Sequence, residues 1–134
     1  MKKKRLYIII GILLMIGVCL IIFKTIGRKP FKSLTVVDVE SATVHLSPPD
    51  KTLEIPDIEE LVSYLNNVVI YEEDNSYTEY VGQGVTFTLV LSDGTQKKVV
   101  AYNPFMIIDG VGYKTKYKPC EALNAYANRL LYIE

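Results

Sequence analysis

The chain has 134 residues, 15 basic against 15 acidic side chains, two cysteines, one histidine and no tryptophan. One histidine excludes a multi-histidine metal centre. With an apolar N-terminal run and a short tether set aside, roughly 100 residues remain, enough for one domain with one hydrophobic core.

Residues 1–5 form a basic tail, with Lys2, Lys3, Lys4 and Arg5 in succession. Residues 6–23 follow as 18 uncharged positions, nearly all Ile, Leu, Val, Met or Phe. As a helix rising about 1.5 Å per residue, such a run reaches roughly 27 Å, close to the hydrocarbon thickness of a bilayer. Tyr7 and Phe23 stand near its ends, and Lys24, Arg28 and Lys29 close the far side. Aromatic rings and snorkelling cations suit those depths. The basic tail predicts a cytoplasmic N-terminus, hence a single-pass cell-membrane protein with its C-terminal part outside the cytoplasm.

A cleaved secretory signal and a lipoprotein signal lipidated at Cys19 remain alternatives. The run is long for a signal, no A-x-A-like site follows Phe23, and Val18 is a poor fit before a lipidated Cys19. The uncleaved anchor is the favoured reading.

Residues 24–33 read as a basic tether broken by Gly27 and Pro30. Residues 34–134 then form an extracytoplasmic domain. From Leu34 onward seven basic side chains face all fifteen acidic ones, a net charge of −8. Phosphate contacts need clustered Lys and Arg, so no nucleic-acid partner is expected. Cys19 lies in the apolar run and Cys120 in the domain, so they cannot pair, and the core alone must hold the domain.

Residues 34–39 and 42–46 alternate apolar and polar and predict a β-hairpin turning at Glu40-Ser41. Pro48-Pro49-Asp50 breaks the pattern, and residues 52–55 are a short extended piece. Residues 57–67 are the clearest helix. Asp57 is its N-cap, Glu60 completes a capping box, and Ile58, Leu61, Val62 and Leu65 form one stripe. Residues 68–71 are predicted as a strand, 72–76 as an acidic loop and 77–81 as an edge strand, with a turn or bulge at Gly82-Gln83-Gly84. Asp93-Gly94 and Asp109-Gly110 predict two hairpins, 85–91 with 96–102 and 105–108 with 111–116, each turn wanting positive φ at both positions. Pro119 opens a last helix whose stripe is Leu123, Tyr126, Ala127, Leu130 and Leu131. The fold class is α+β: a meandering antiparallel sheet with two helices on one face.

Few residues carry chemistry. His45 alternates with Val44 and Leu46 and reads as a surface strand residue. Cys120, near a helix N-terminus, is either a small core residue or, with His45, a thiol dyad. Glu72, Glu73, Asp74 and Asn75 lack the spacing of a calcium loop, and no phosphate-loop or nucleophile-elbow motif occurs. Neither metal nor cofactor is expected. Nine tyrosines lie beyond the apolar run, with Tyr71, Tyr77 and Tyr80 around the acidic loop. Tyr suits strands, and it also gives amphipathic contact area at low entropic cost, so these three are the candidate binding residues.

The KKKR start with its apolar run, VHLSPPDKT (44–52), LSDGT (91–95), IIDGVGY (107–113) and CEALNAYANRLL (120–131) together resemble small uncharacterised membrane-anchored or lipoprotein-type extracytoplasmic domains of Gram-positive bacteria. The resemblance implies an envelope location and transfers no functional residue. The function expected is non-catalytic binding of a protein, peptide or envelope component. The alternatives are a membrane-anchored signalling or regulatory accessory subunit, whose five-residue tail would require a partner in the membrane, and a hydrolase using Cys120 with His45.

Overall fold

The computed structural model describes residues 2–47, 49–80 and 84–133. It is an α+β protein. The apolar helix α1 spans Lys2–Thr25. Strands β1 (Val39–Ser47) and β2 (Lys51–Glu54) precede helix α2 (Ile58–Asn66). Strand β3 (Ile70–Glu73) follows, then β4 (Gly84–Leu91), β5 (Gln96–Tyr102), β6 (Phe105–Ile108) and β7 (Val111–Thr115), and helix α3 (Tyr117–Ile133) ends the chain. Among the described residues α1 alone is long and apolar enough to cross a membrane, and none of its apolar window is buried against the rest of the chain.

All seven strands join one antiparallel sheet in the order β2-β1-β4-β5-β6-β7-β3. Residues 84–115 make the meander. Two crossings frame it. Helix α2 carries the chain from the β2 edge to the β3 edge over one face. After β3, residues 74–80 lie on the other face, with the Tyr77 and Tyr80 rings against Phe105, and β4 follows.

The helical face holds the core. Ala42, Val44 and Leu46 of β1, Val85, Phe87 and Leu89 of β4, and Val99 and Ala101 of β5 point into it. Helix α2 adds Leu61, Val62 and Leu65, and α3 adds Cys120, Leu123, Tyr126 and Ala127. Each large apolar side chain fully buried there contributes about 1.5–3 kcal/mol relative to exposure. The Tyr126 ring sits between Tyr64 (4.9 Å) and Phe87 (6.4 Å).

Local chemistry explains the helix start and the turns. Asp57 accepts the Glu60 amide at 3.1 Å, but the Glu60 carboxylate lies 3.7 Å from Arg129, so only half of the expected capping box forms. Asp109 and Gly110 have φ of 50° and 87° and close a two-residue turn as predicted. At the first hairpin only Gly94 is left-handed (φ 88°). There Asp93 accepts both the amide and the hydroxyl of Thr95, at 2.9 and 2.6 Å, which widens the turn by local hydrogen bonding.

Four sequence expectations change. The hairpin at Glu40-Ser41 is instead one strand, β1, with a register shift between Val39 and Ser41. Residues 36–38 form a 3-10 turn, because Thr35 donates its amide and its hydroxyl to Asp38, each at 2.8 Å. β1 pairs with β2 instead, through a connection containing Asp50 at φ 67°. The edge strand expected over 77–81 is a 3-10 turn at Ser76–Glu79, started by the Ser76 amide on Asp74. The last helix begins at Tyr117, with Pro119 within its first turn. Val81 of the expected edge strand, Gly82 and Gln83 of the expected turn, and Pro48 lie outside the described residues.

The fourth change is the tether. Residues 28–33 are not a free linker. Arg28 and Ile70 exchange two backbone hydrogen bonds, each 2.9 Å, forming an antiparallel bridge on the outer edge of β3. Phe31 is 4% exposed and belongs to the core. Asn66 donates to the carbonyls of Phe31 and Leu34, at 2.7 and 3.1 Å.

A candidate binding groove on the open face

The face away from the helices is only partly covered. On it lie Thr86 of β4, Lys98, Val100 and Tyr102 of β5, and Phe105 and Ile107 of β6, placed together by the β4–β5 and β5–β6 registers. β5 and β6 are apolar on both faces: Val99 and Met106 face the core, while Val100 and Ile107 face away. Such strands need cover on the second face as well.

Part of that cover comes from the 3-10 turn. The Tyr77 and Tyr80 rings flank Phe105, with centroids at 6.4 and 5.8 Å. The Tyr77 hydroxyl donates to the Gly110 carbonyl at 3.3 Å. Asp74 donates its amide to the Gly112 carbonyl, and the Gly112 amide donates to the Asn75 side chain, both at 2.8 Å. These bonds bind the whole turn to β7.

Between this turn and β4–β5 runs a groove of about 440 Å³, lined by Tyr77, Tyr80, Tyr102, Lys98, Val100 and Ile107 among others. Its floor is aliphatic, its walls are phenolic rings and Lys98 stands at its margin. No hydrogen bond among the described residues engages the Tyr80 or Tyr102 hydroxyl, and Tyr80 is 60% exposed.

The candidate tyrosines therefore separate. Tyr77 and Tyr80 line the groove. Tyr71 lies on β3 against the chain leaving α1, where a Cβ built at Gly27 would stand 2.9 Å from its ring. Tyr102, Lys98, Val100 and Ile107 complete the groove and were not among the candidates. Their signal was present as Val99-Val100 and Met106-Ile107, adjacent apolar pairs that alternation alone does not accommodate.

Glu72 and Glu73 belong to β3 rather than to the expected 72–76 loop, and two of the acidic side chains there, Glu72 and Asp74, have partners within the protein. Glu72 pairs with Lys114 at 3.1 Å, and Asp74 accepts from Ser76 and lies 4.0 Å from Lys114. The Ser76 hydrogen bonds, then the Lys114 charge, hold the Asp74 carboxyl below its ordinary range. No group of three or more metal-ligating side chains gathers among the described residues.

Cys120 and His45 are not brought together. Cys120 is fully buried on the inner side of α3, its thiol turned to the Phe105 carbonyl at 3.8 Å, and burial pushes it up to about 12. His45 lies on the other face of the sheet, its ring nitrogens 2.8 Å from Thr52 Oγ1 and 2.9 Å from Asp50 Oδ1. That cross-strand link ties β1 to β2 near their turn.

A second depression, about 350 Å³, lies between Pro30, Phe31, Asp38, Ser92 and Lys97. Several of its polar groups are already engaged: Asp38 by Thr35, the Ser92 hydroxyl by the Val37 carbonyl, Lys97 by Asp109.

The fold and groove define an α+β protein with an apolar N-terminal helix and a tyrosine-walled cleft. No family model, curated protein or solved structure matches the chain.

Proposed function

We propose that this is a single-pass membrane protein with a cytoplasmic N-terminus, whose extracytoplasmic module binds a protein, peptide or envelope component without catalysing a reaction on it. The observation that carries the reading is the groove formed by Tyr77, Tyr80 and Tyr102 over Val100 and Ile107. Phenolic rings supply rigid amphipathic contact area, and an aliphatic floor flanked by free hydroxyls suits a partner with both apolar and polar groups. The basic flank before α1 supports the orientation. The resemblance to small Gram-positive envelope domains agrees with the location. The burial of Cys120, far from ionising and on the other side of the sheet from His45, supports a non-catalytic module over a thiol hydrolase.

A photo-crosslinking amino acid at position 80 of the full-length protein, expressed in its own cells, tests this. The expected result is one reproducible envelope adduct, reduced at least about tenfold by Tyr102→Ala, since loss of about 1.4 kcal/mol is tenfold in affinity. No adduct, or an adduct indifferent to Tyr102→Ala, would refute the groove as the binding site. A signalling accessory is a second reading, favoured by the way the chain leaving α1 joins the sheet.

A further inference from the structure

The segment between the apolar helix and the core is short, and its backbone is committed to the sheet. Gly27 has φ 75°, a conformation that L side chains rarely adopt. A Cβ there would stand 2.7 Å from the Ile70 carbonyl oxygen, 2.8 Å from Val69 Cγ1 and 2.9 Å from Tyr71 Cδ1. Gly27 is thus seated against β3 at backbone contact distance. One residue on, Arg28 forms the bridge with Ile70, and its guanidinium lies 5.5 Å from the centre of the Tyr113 ring of β7. Three residues further, Phe31 is in the core. α1 ends at Thr25, so a single residue, Ile26, separates the helix from this clasp. The Ile26 amide still bonds to the Ile22 carbonyl at 2.8 Å, which extends the helical bonding to the edge of the clasp.

The strand that receives the clasp also carries the groove wall. β3 runs from Ile70 to Glu73 and leads directly into Asp74 and Asn75, which hold Gly112. Tyr77 and Tyr80 follow. Every link is a backbone hydrogen bond, a bond to the backbone or a close contact at glycine, none of which stretches without breaking. Among the described residues, the other edge strand, β2, has no backbone hydrogen bond to the chain leaving α1.

We infer that the chain leaving the apolar helix is a working part of the sheet and clamps that helix to β3, so that the helix and the tyrosine wall of the groove move as one body. A helix rotated or tilted by a neighbour would then shift Tyr77 and Tyr80 relative to Tyr102, and a ligand closing the groove would load the helix. The inference concerns the junction and stands whether or not the groove proves to be the binding site.

The test is amide hydrogen exchange on the full chain in nanodiscs of phosphatidylcholine and phosphatidylglycerol, with no ligand added. The Arg28, Ile70 and Asp74 amides should exchange at least about 100-fold slower than in an unstructured chain and share one opening rate, as members of one cooperative unit do. Gly27→Ala should speed exchange at residues 70–80 at least about tenfold while β4 and β5 keep their protection, because only one edge of the sheet is released. Unprotected Arg28 and Ile70 amides in the unaltered protein would overturn the inference without any variant. So would a Gly27→Ala protein in which residues 74–80 exchange as before.

Discussion

Gly112 lies directly beneath Tyr77: a Cβ at position 112 would stand 2.5 Å from Tyr77 Cδ1 and 2.5 Å from the Asp74 carbonyl oxygen. One neighbour is a ring held between Phe105 and Gly110, and the other is backbone, so neither yields cheaply. Gly112→Ala should therefore destabilise the protein by about 1–3 kcal/mol, the usual cost of overpacking, and displace Tyr77 from Phe105. Chemical denaturation in detergent measures the first effect. The fluorescence or ring-proton shifts of Tyr77 report the second. An unchanged midpoint would mean that the 74–77 turn is not seated on β7 as described.

Phe31 tests whether the segment after α1 belongs to the core. A flexible linker would tolerate its loss. Buried at 4% exposure, with its carbonyl accepting from Asn66, it should behave as a core aromatic. Phe31→Ala is expected to cost about 3–5 kcal/mol, read as a lowered denaturation midpoint. A cost below about 0.5 kcal/mol, typical of a surface site, would contradict the packing.

Tyr80 should show the opposite balance. It is exposed and touches Phe105 from one side only. Tyr80→Ala is expected to lose about 1 kcal/mol or less of stability while removing a groove wall. Thermal unfolding together with capture of the partner proposed above separates the two outcomes. A protein that unfolds on this change would mark Tyr80 as structural.

Cys120 should be chemically silent in the folded protein. Burial raises its thiol from an ordinary value near 9.0 to about 12, and a thiol rather than a thiolate is a poor nucleophile. A thiol reagent at pH 8 should leave Cys120 unmodified until denaturant is added, as followed by mass spectrometry. Fast labelling of the native protein at Cys120 would reopen thiol chemistry.

Tyr126 and Cys120 together predict loss of stability at alkaline pH. Burial, then the charges of Glu60 and Asp57, raise Tyr126 from an ordinary 10.0 to about 12. Both groups keep their protons in the folded state and release them more readily when unfolded. Their contribution is complete below about pH 9, the lower of the two unfolded values, and is lost as pH climbs toward 12. Tyr126→Phe should flatten the part of that decline above about pH 10. It should also raise stability at pH 7 by about 1 kcal/mol, because the buried Tyr126 hydroxyl finds no hydrogen-bond partner among the described residues. Denaturation midpoints across pH 7–12 for the two proteins check both signs.

Much of the groove was legible only in part. Tyr77 and Tyr80 stand out in the sequence as tyrosines beside an acidic loop, and both line the cleft. Tyr71 looks the same on the page but sits against Gly27, because its neighbour Ile70 pairs with Arg28, a residue far away in sequence. Tyr102 carries no local mark of a binding residue, and Ile107 only that of an adjacent apolar pair with Met106. They become groove residues because the 76–79 turn and Tyr80 lie on their side of the sheet.

The amino-acid order alone determined the apolar helix, the turn at Asp109-Gly110, the stripes of α2 and α3 and the α+β class. These rest on interactions between residues a few positions apart, where charge, periodicity and turn chemistry act directly. Tertiary structure decided that β1 is one strand pairing with β2 and β4, that the 76–79 segment coils instead of extending, and that the chain after α1 joins the sheet. Each of those outcomes is set by which distant backbone is there to accept a hydrogen bond or offer an apolar surface, and no local pattern contains that.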